Sequence, residues 1–310
     1  MDVQQSSSYC ESRTRWKFRE LETFPESIAE PSKRIMGEHM FQTEAHAELY
    51  SEFRPAPPVE LLKIVVSVCR NTDKLLDVGC GTGQSTEPMT EFFGHVIGTD
   101  NSEAQIAQAK RRQNEADLRN LEYRVCSSNE LTFEGSSFDA ITACQCVHYF
   151  DLDKFYAEAH RVLRKDGILA LSGYCIPVPS VGDPEMDAAI KERIMKLCRV
   201  ELGPYFEVDI DYFDRCYETL PAPKSGFELV EKNLKIIKEW PTNLHVYLSY
   251  LKSWSPYVHF RKDHPENDIM ASLRSDLRAI CQGVFQQKGD SDCKVEVDTR
   301  YFVHIFRKVD

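Results

Sequence analysis

DKLLDVGCGTGQST, residues 73–86, is an apolar run that passes through an acid, Asp77, into a turn with glycine at every second position: Gly79, Gly81 and Gly83. A short apolar run bounded by turn residues reads as a buried strand over 74–79. Glycines at its end let the chain turn sharply and approach a ligand that a β-carbon would keep away. In open α/β sheets ligands bind beyond the carboxyl ends of the strands, which is where Asp77 and these glycines fall. Gln84 stands where the third glycine of a G-x-G-x-x-G dinucleotide fingerprint would be, and no G-K-[ST] follows. The spacing therefore argues against a pyrophosphate cradle, and a P-loop is absent.

Working outward, HVIGTD at 95–100 is a second strand ending in an acid. Asp100 there is placed to accept hydrogen bonds from both hydroxyls of a ribose. The alternation continues. GQSTEPMTEFF is predicted as a helix, 102–114 as another capped at Asn101 or Ser102, and 121–125 as a strand. SFDAITACQCVHYF gives a strand and then a loop. Leu152, Phe155, Tyr156, Ala159, Val162 and Leu163 keep the helical period, with Asp151 as cap and Gly167 as stop, and ILALSGY is the next strand. Before the glycine turn, helices are expected over 45–53 and 59–69, separated by RPAPP. Such βα alternation implies a parallel sheet covered on both faces.

From residue 176 the rhythm changes. Pro177, Pro179 and Pro184 punctuate a loop, and a helix is expected over 184–200. The aromatic-rich GPYFEVDIDYFDRCYETLPAP follows, then a strand over 227–240, helices over 244–254 and 268–285, and the alternating last strand KVEVDTRYFVHIFRK. Residues 1–37 are polar without a period and read as a flexible or loosely docked extension.

A formal net charge of -11 argues against a nucleic-acid partner. The N-terminus lacks a signal-peptide core and no apolar run is long enough for a bilayer, so a cytoplasmic protein without a membrane partner is expected. The 11 cysteines are scattered, which suits buried thiols in a reducing compartment. Cys144-Gln145-Cys146 lacks CxxC spacing, so no metal is expected. His46-Ala-Glu48 has no P-C-x-x-C after it and reads as helix surface.

LLDVGCGTGQST with VIGTD resembles class I S-adenosylmethionine (SAM)-dependent methyltransferases. FQTEAHAELYSEFRPAPP, the segment 137–174 and LKSWSPY narrow the likeness to the small-molecule methyltransferases grouped with trans-aconitate methyltransferase, over residues 38–310. The resemblance implies a Rossmann-like α/β domain with a mostly parallel seven-stranded sheet. A helical and aromatic lid would be built from 176–226 and 240–285. It implies SAM as cofactor, with S-adenosyl-L-homocysteine as product. Gly79, Cys80, Gly81 and Gly83 would lie under its methionine and ribose parts, Asp77 beside them, Asp100 on the ribose and Asn101 beside the adenine. Where the family often has an acid before Leu-Pro-Phe, this chain has CSSNELTF, so Ser128 and Asn129 take that place. An Asn carbonyl can accept the same hydrogen bond. Gln145 would face the methionine moiety. Tyr50 and Arg54 match a Tyr and Arg-Pro signature that closes the site, with Arg54 on the SAM carboxylate or on an anionic acceptor.

The acceptor side is read from position. His148 falls in the loop after the fourth strand, as a substrate contact or a base. Tyr174, Trp254 and Tyr257 are candidate substrate contacts, each also a plausible core residue. Tyr205, Phe206, Tyr212 and Phe213 are expected mainly to pack the lid. The absence of a motif for a strong base favours an acceptor already ionised at neutral pH, a carboxylate that becomes a methyl ester. N-, phenolic O- and S-methylation of a small metabolite are the alternatives, and methylation of a protein a more distant one. A binding protein without turnover is a third class. The working unit is expected to be a monomer or homodimer.

Overall fold

The computed structural model describes residue 54, residues 56–285 and residues 288–309, apart from the side chains of Asn233 and Trp240. Tyr50, the helix expected over 45–53 and the extension 1–37 lie outside the described residues. Helix α1 (Val59–Ser67) leads into strand β1 (Lys74–Val78). Then come β2 (His95–Asp100), α2 (Glu103–Glu115), β3 (Leu121–Val125), β4 (Phe138–Cys144), α3 (Leu152–Val162) and β5 (Leu163–Tyr174). The caps act as expected: Ser102 accepts from the Gln105 amide and Asp151 from the Lys154 amide, each satisfying an orphan donor of the first turn.

These five strands form a parallel sheet in the order β3-β2-β1-β4-β5. Period-two alternation sends neighbouring residues to opposite faces. Leu75, Val96, Ala140 and Ile168 join the core under α1 and α2. Leu76, Ile97, Ile141 and Leu169 join the core under α3, against Phe155, Ala159 and Val162. Near-continuous burial along the strands follows from this two-sided cover.

The chain after β5 completes the sheet and builds over one face. Strand β6 (Val178–Ser180) precedes helix α4 (Pro184–Lys196), and β7 (Phe227–Asn243) precedes α5 (Leu244–Lys252), α6 (Ser255–Asp263) and α7 (Ile269–Ile280). Strand β8 (Lys294–Lys308) is the hinge of the assembly. It pairs antiparallel with β5, from Ile168↔Arg307 to Tyr174↔Tyr301, then with β6, from Val178↔Asp298, and along its whole length with β7. Helices α5 and α7 bury Tyr247, Leu248, Leu251, Leu273 and Leu277 in the same core as α1.

Four expectations are corrected. The sheet has eight strands rather than seven: Pro177 interrupts β5's line along β8, which restarts as β6 inside the presumed proline loop. The helix expected from Gly83 onward contracts to a 3₁₀ turn over Glu87–Glu91, because Pro88 removes a donor there. Helix α3 stops at Val162 and not at Gly167, which lies inside β5. Helix α4 ends at Lys196 and passes into a π turn over Leu197–Glu201. Among the described residues no helix is long and apolar enough to cross a membrane.

Candidate active site

Beyond Val78 the chain enters the left-handed region at Gly79 (φ 70°), Gly81 (φ 56°) and Gly83 (φ 94°). This turn is pegged to β2, since the Gly79 and Cys80 amides both donate to the Thr99 carbonyl at 2.7 and 2.9 Å. A β-carbon on Gly79 would stand 2.7 Å from Cys146 Sγ, and one on Gly83 2.1 Å from the Tyr123 hydroxyl. Glycine at both positions is thus a packing requirement as well as a conformational one.

Asp77 is fully buried, and its carboxylate accepts from three hydroxyls: Ser85 Oγ at 2.9 Å, Thr86 Oγ1 at 2.6 Å and Thr142 Oγ1 at 2.7 Å. Burial raises its pKa and the hydroxyls oppose that rise. Asp77 ties the glycine turn to β4. Asp100, partly exposed at the end of β2, accepts the Gly81 amide at 3.0 Å and the Ser102 amide at 2.9 Å. Burial raises its pKa too, against those two amides. The Cys126 amide donates to the Asp100 carbonyl, which brings the end of β3 alongside. Exposed Asn101 follows Asp100 in the chain, and half-buried Ser128 and exposed Asn129 follow Cys126. Cys80 is buried, with its thiol pKa pushed up by burial.

A cavity opens beside the turn, at the ends of β4 and β5. Arg54, Gln145, His148, Tyr174 and Trp254, far apart in sequence, all line it. Arg54 is held by Ser253 Oγ at 3.1 Å and the Tyr174 hydroxyl at 2.9 Å, and its guanidinium lies 5.5 Å from the Tyr250 ring centre. Gln145 has left-handed backbone (φ 56°), and its side-chain carbonyl accepts the Tyr174 amide at 2.8 Å, joining β4 to β5. His148 is 7% exposed, and its Nδ1 lies 2.6 Å from the Tyr217 hydroxyl. Burial, helped by the Arg54 charge, pulls its pKa down to about 3, so the ring is neutral at physiological pH.

Tyr257 is not among the residues lining this cavity; on α6 it packs half-buried against the apolar core. Of the four insert aromatics, Phe206 and Phe213 line the cavity. Tyr205 instead bonds His264, and Tyr212 packs under α3's core. Sequence reasoning missed Tyr149, Cys175, Tyr250, Ser255 and the Tyr217 that reaches His148. Tyr149, Cys175 and Ser255 each adjoin a residue singled out from sequence, so adjacency was an available signal. Tyr217 carried none.

The turn suits the cofactor expected from the sequence. A partly exposed carboxylate ends β2, left-handed glycine backbone follows β1, and polar side chains follow β3. No His, Cys, Asp or Glu cluster among the described residues suits a metal ion. Known proteins agree with this geometry. A family described as "Methyltransferase domain" matches residues 76–171, from β1 to β5. A putative methyltransferase of Dictyostelium discoideum is 29% identical over 74% of this chain and 81% of its own length. A probable S-adenosylmethionine-dependent methyltransferase of Saccharomyces cerevisiae is 21% identical over 84% of this chain and 94% of its own. The solved structure of a putative type II methyltransferase from Anaeromyxobacter dehalogenans superposes with a TM-score of 0.65 at 29% identity, covering 83% of this chain and 99% of that one. With the glycine turn, the parallel sheet and these likenesses in agreement, the chain is a class I SAM-dependent methyltransferase.

Proposed function

We propose that the enzyme methylates a carboxylate oxygen of a small organic acid, giving a methyl ester and S-adenosyl-L-homocysteine. One observation carries this reading: the cavity beside the glycine turn holds the Arg54 guanidinium among aromatic rings, while its imidazole, His148, is neutral and weakly basic. A carboxylate is already ionised at neutral pH and needs orientation and charge, which a guanidinium supplies. An amine or phenol needs its proton removed, and a histidine with a pKa of about 3 does that poorly.

When bound, SAM supplies a methyl group on a positively charged sulfur. The remaining work belongs to the chain. Asp100 would hold the ribose hydroxyls, the turn at Gly79, Cys80, Gly81 and Gly83 would lie under the cofactor, and Asp77 would keep that turn in shape. Asn101, Ser128 and Asn129 would border the adenine, and Gln145 the methionine end. Arg54 would face the acceptor, because it shares its cavity with Phe206, Trp254 and Pro256. Those residues come from 176–226 and 240–285, which act as lid and choose the acceptor by shape, excluding water. Tyr174 would set Arg54 in place. A ubiquinone biosynthesis O-methyltransferase of Mesorhizobium japonicum, 35% identical over 31% of this chain, covers 39% of its own length and supports a small acceptor at most.

Methyl-labelled SAM incubated with the protein and a panel of small acids, amines, phenols and thiols, trans-aconitate among them, tests this reading. Mild alkali should release the label as volatile methanol. Alkali-stable label would sink the carboxylate assignment. In R54Q the acceptor KM should rise with SAM affinity retained, whereas a loss of SAM affinity alone would move Arg54 to the cofactor's carboxylate.

A further inference from the structure

Tyr217, a residue of the lid segment with no task of its own in the reaction above, reaches His148. Cys216 and Tyr217 both take left-handed backbone, at φ 52° and 61°, a conformation unfavourable for side chains with a β-carbon. The turn sends the Tyr217 ring inward against Phe302 and sets its hydroxyl 2.6 Å from His148 Nδ1. Tyr217 is 1% exposed, and among the described residues Nδ1 is its hydroxyl's hydrogen-bonding partner. The Phe213 ring meets the imidazole edge to face, with ring centres 4.8 Å apart. His148 lines the cavity, so Nε2 is the nitrogen left to meet a ligand.

We propose that Tyr217 is a positioning residue: it donates its hydroxyl proton to His148 Nδ1, fixes the Nε2–H tautomer, and so makes His148 a hydrogen-bond donor to an acceptor oxygen rather than a base. A buried phenol has one proton to give, and burial keeps the Tyr217 proton in place. Were Nδ1 protonated, its N–H would point at the phenol oxygen, and the phenol's own hydrogen would be left in the core without an acceptor. The opposite direction satisfies both groups. A neutral imidazole then carries its single proton on Nε2.

The consequence is specificity. Arg54 and His148 both present N–H donors to one cavity, a pair that suits an oxygen with lone pairs and offers nothing to an ammonium nitrogen, which has none. This choice of acceptor rests on the carboxylate reading above, whereas the tautomer does not.

Long-range proton–nitrogen NMR on the labelled full chain reads the tautomer directly, with His148 identified by the signals lost in H148Q. The expected spectrum has a protonated Nε2 and a bare Nδ1 at neutral pH. A protonated Nδ1 would overturn the proposal. In Y217F the two tautomers should mix, and the acceptor KM should rise about fivefold with kcat and SAM affinity unchanged, the loss of one oriented hydrogen bond. A Y217F spectrum identical to the wild type would also overturn it. If the tautomer is as expected but no carboxylate is turned over, the positioning role stands and only the acceptor class falls.

Discussion

Asp77 and Asp100 lie a strand apart at the same end of the sheet, yet their surroundings divide the work. Asp77 accepts three hydroxyls and is sealed from solvent, so it shapes the turn. Asp100 accepts two backbone amides and keeps an exposed side, so it can take further donors. Burial raises the Asp100 pKa, and hydroxyl donors of a ribose would favour its charged form. The sign follows. Stability from a raised carboxyl is present below its unfolded value and lost as pH climbs through the folded one, while the ligand prefers the state above that value. SAM affinity should therefore be weakest in acid and rise as pH passes through the raised pKa. In D100N calorimetry should find affinity about tenfold lower and this slope gone. A slope that survives in D100N would move the titration to another group, Asp77 first. Both acids were legible in the sequence, since Asp77 stands in an apolar run just before the glycine turn and Asp100 ends the next one. Their separate roles were not, because Thr142 meets Asp77 only once β1 and β4 pair, and Ser85 and Thr86 only once the glycine turn folds back on β1.

At the scale of elements, the strand–turn unit is rigid where packing and conformation agree. Gly83 combines a φ of 94° with a virtual β-carbon 2.1 Å from the Tyr123 hydroxyl. Gly83→Ala should cost about 3 kcal/mol in chemical denaturation, from backbone strain and overpacking together. Y123F removes the obstructing oxygen, so G83A in that background should cost about 1–2 kcal/mol less, and the remainder measures the backbone. Additive costs would mean that the clash relaxes freely. The strands were readable because their apolar runs are short and sit in register with turn signals. The 3₁₀ turn at Glu87–Glu91 was not, since its apolar spacing imitates a helix that Pro88 forbids. Strand β6 was hidden by its own proline: only pairing with β8 makes Val178–Ser180 a strand. Tyr217 depended on two left-handed residues that nothing in a local window foretells.

In the whole molecule, residues up to β5 hold the turn, and the chain beyond residue 175 supplies most of the walls of the cavity around Arg54, with β8 stitching the two parts together. Arg54 crosses between them, bonded to Tyr174 at the end of β5 and to Ser253 after α5. The outer part has its own internal tie. Arg193 on α4 is 10% exposed and bonds Asp276 on α7 at 2.6 Å and Glu201 in the π turn at 3.2 Å. Removing it takes away the cation that Asp276 and Glu201 share, a cost of about 2 kcal/mol given that Asp276 is half exposed. R193M should therefore lower Tm by about 4 °C. It should also open the segment around 197–211 to limited proteolysis, and raise the acceptor KM because Phe206 and Phe213 lose their frame. SAM binding should be unchanged, since the glycine turn and Asp100 lie in the other part. Calorimetry with SAM alongside acceptor kinetics separates the outcomes. A parallel fall in SAM affinity would mean that the two parts fold as one cooperative unit, and that α4 and α7 support the cofactor site as well as the acceptor cavity.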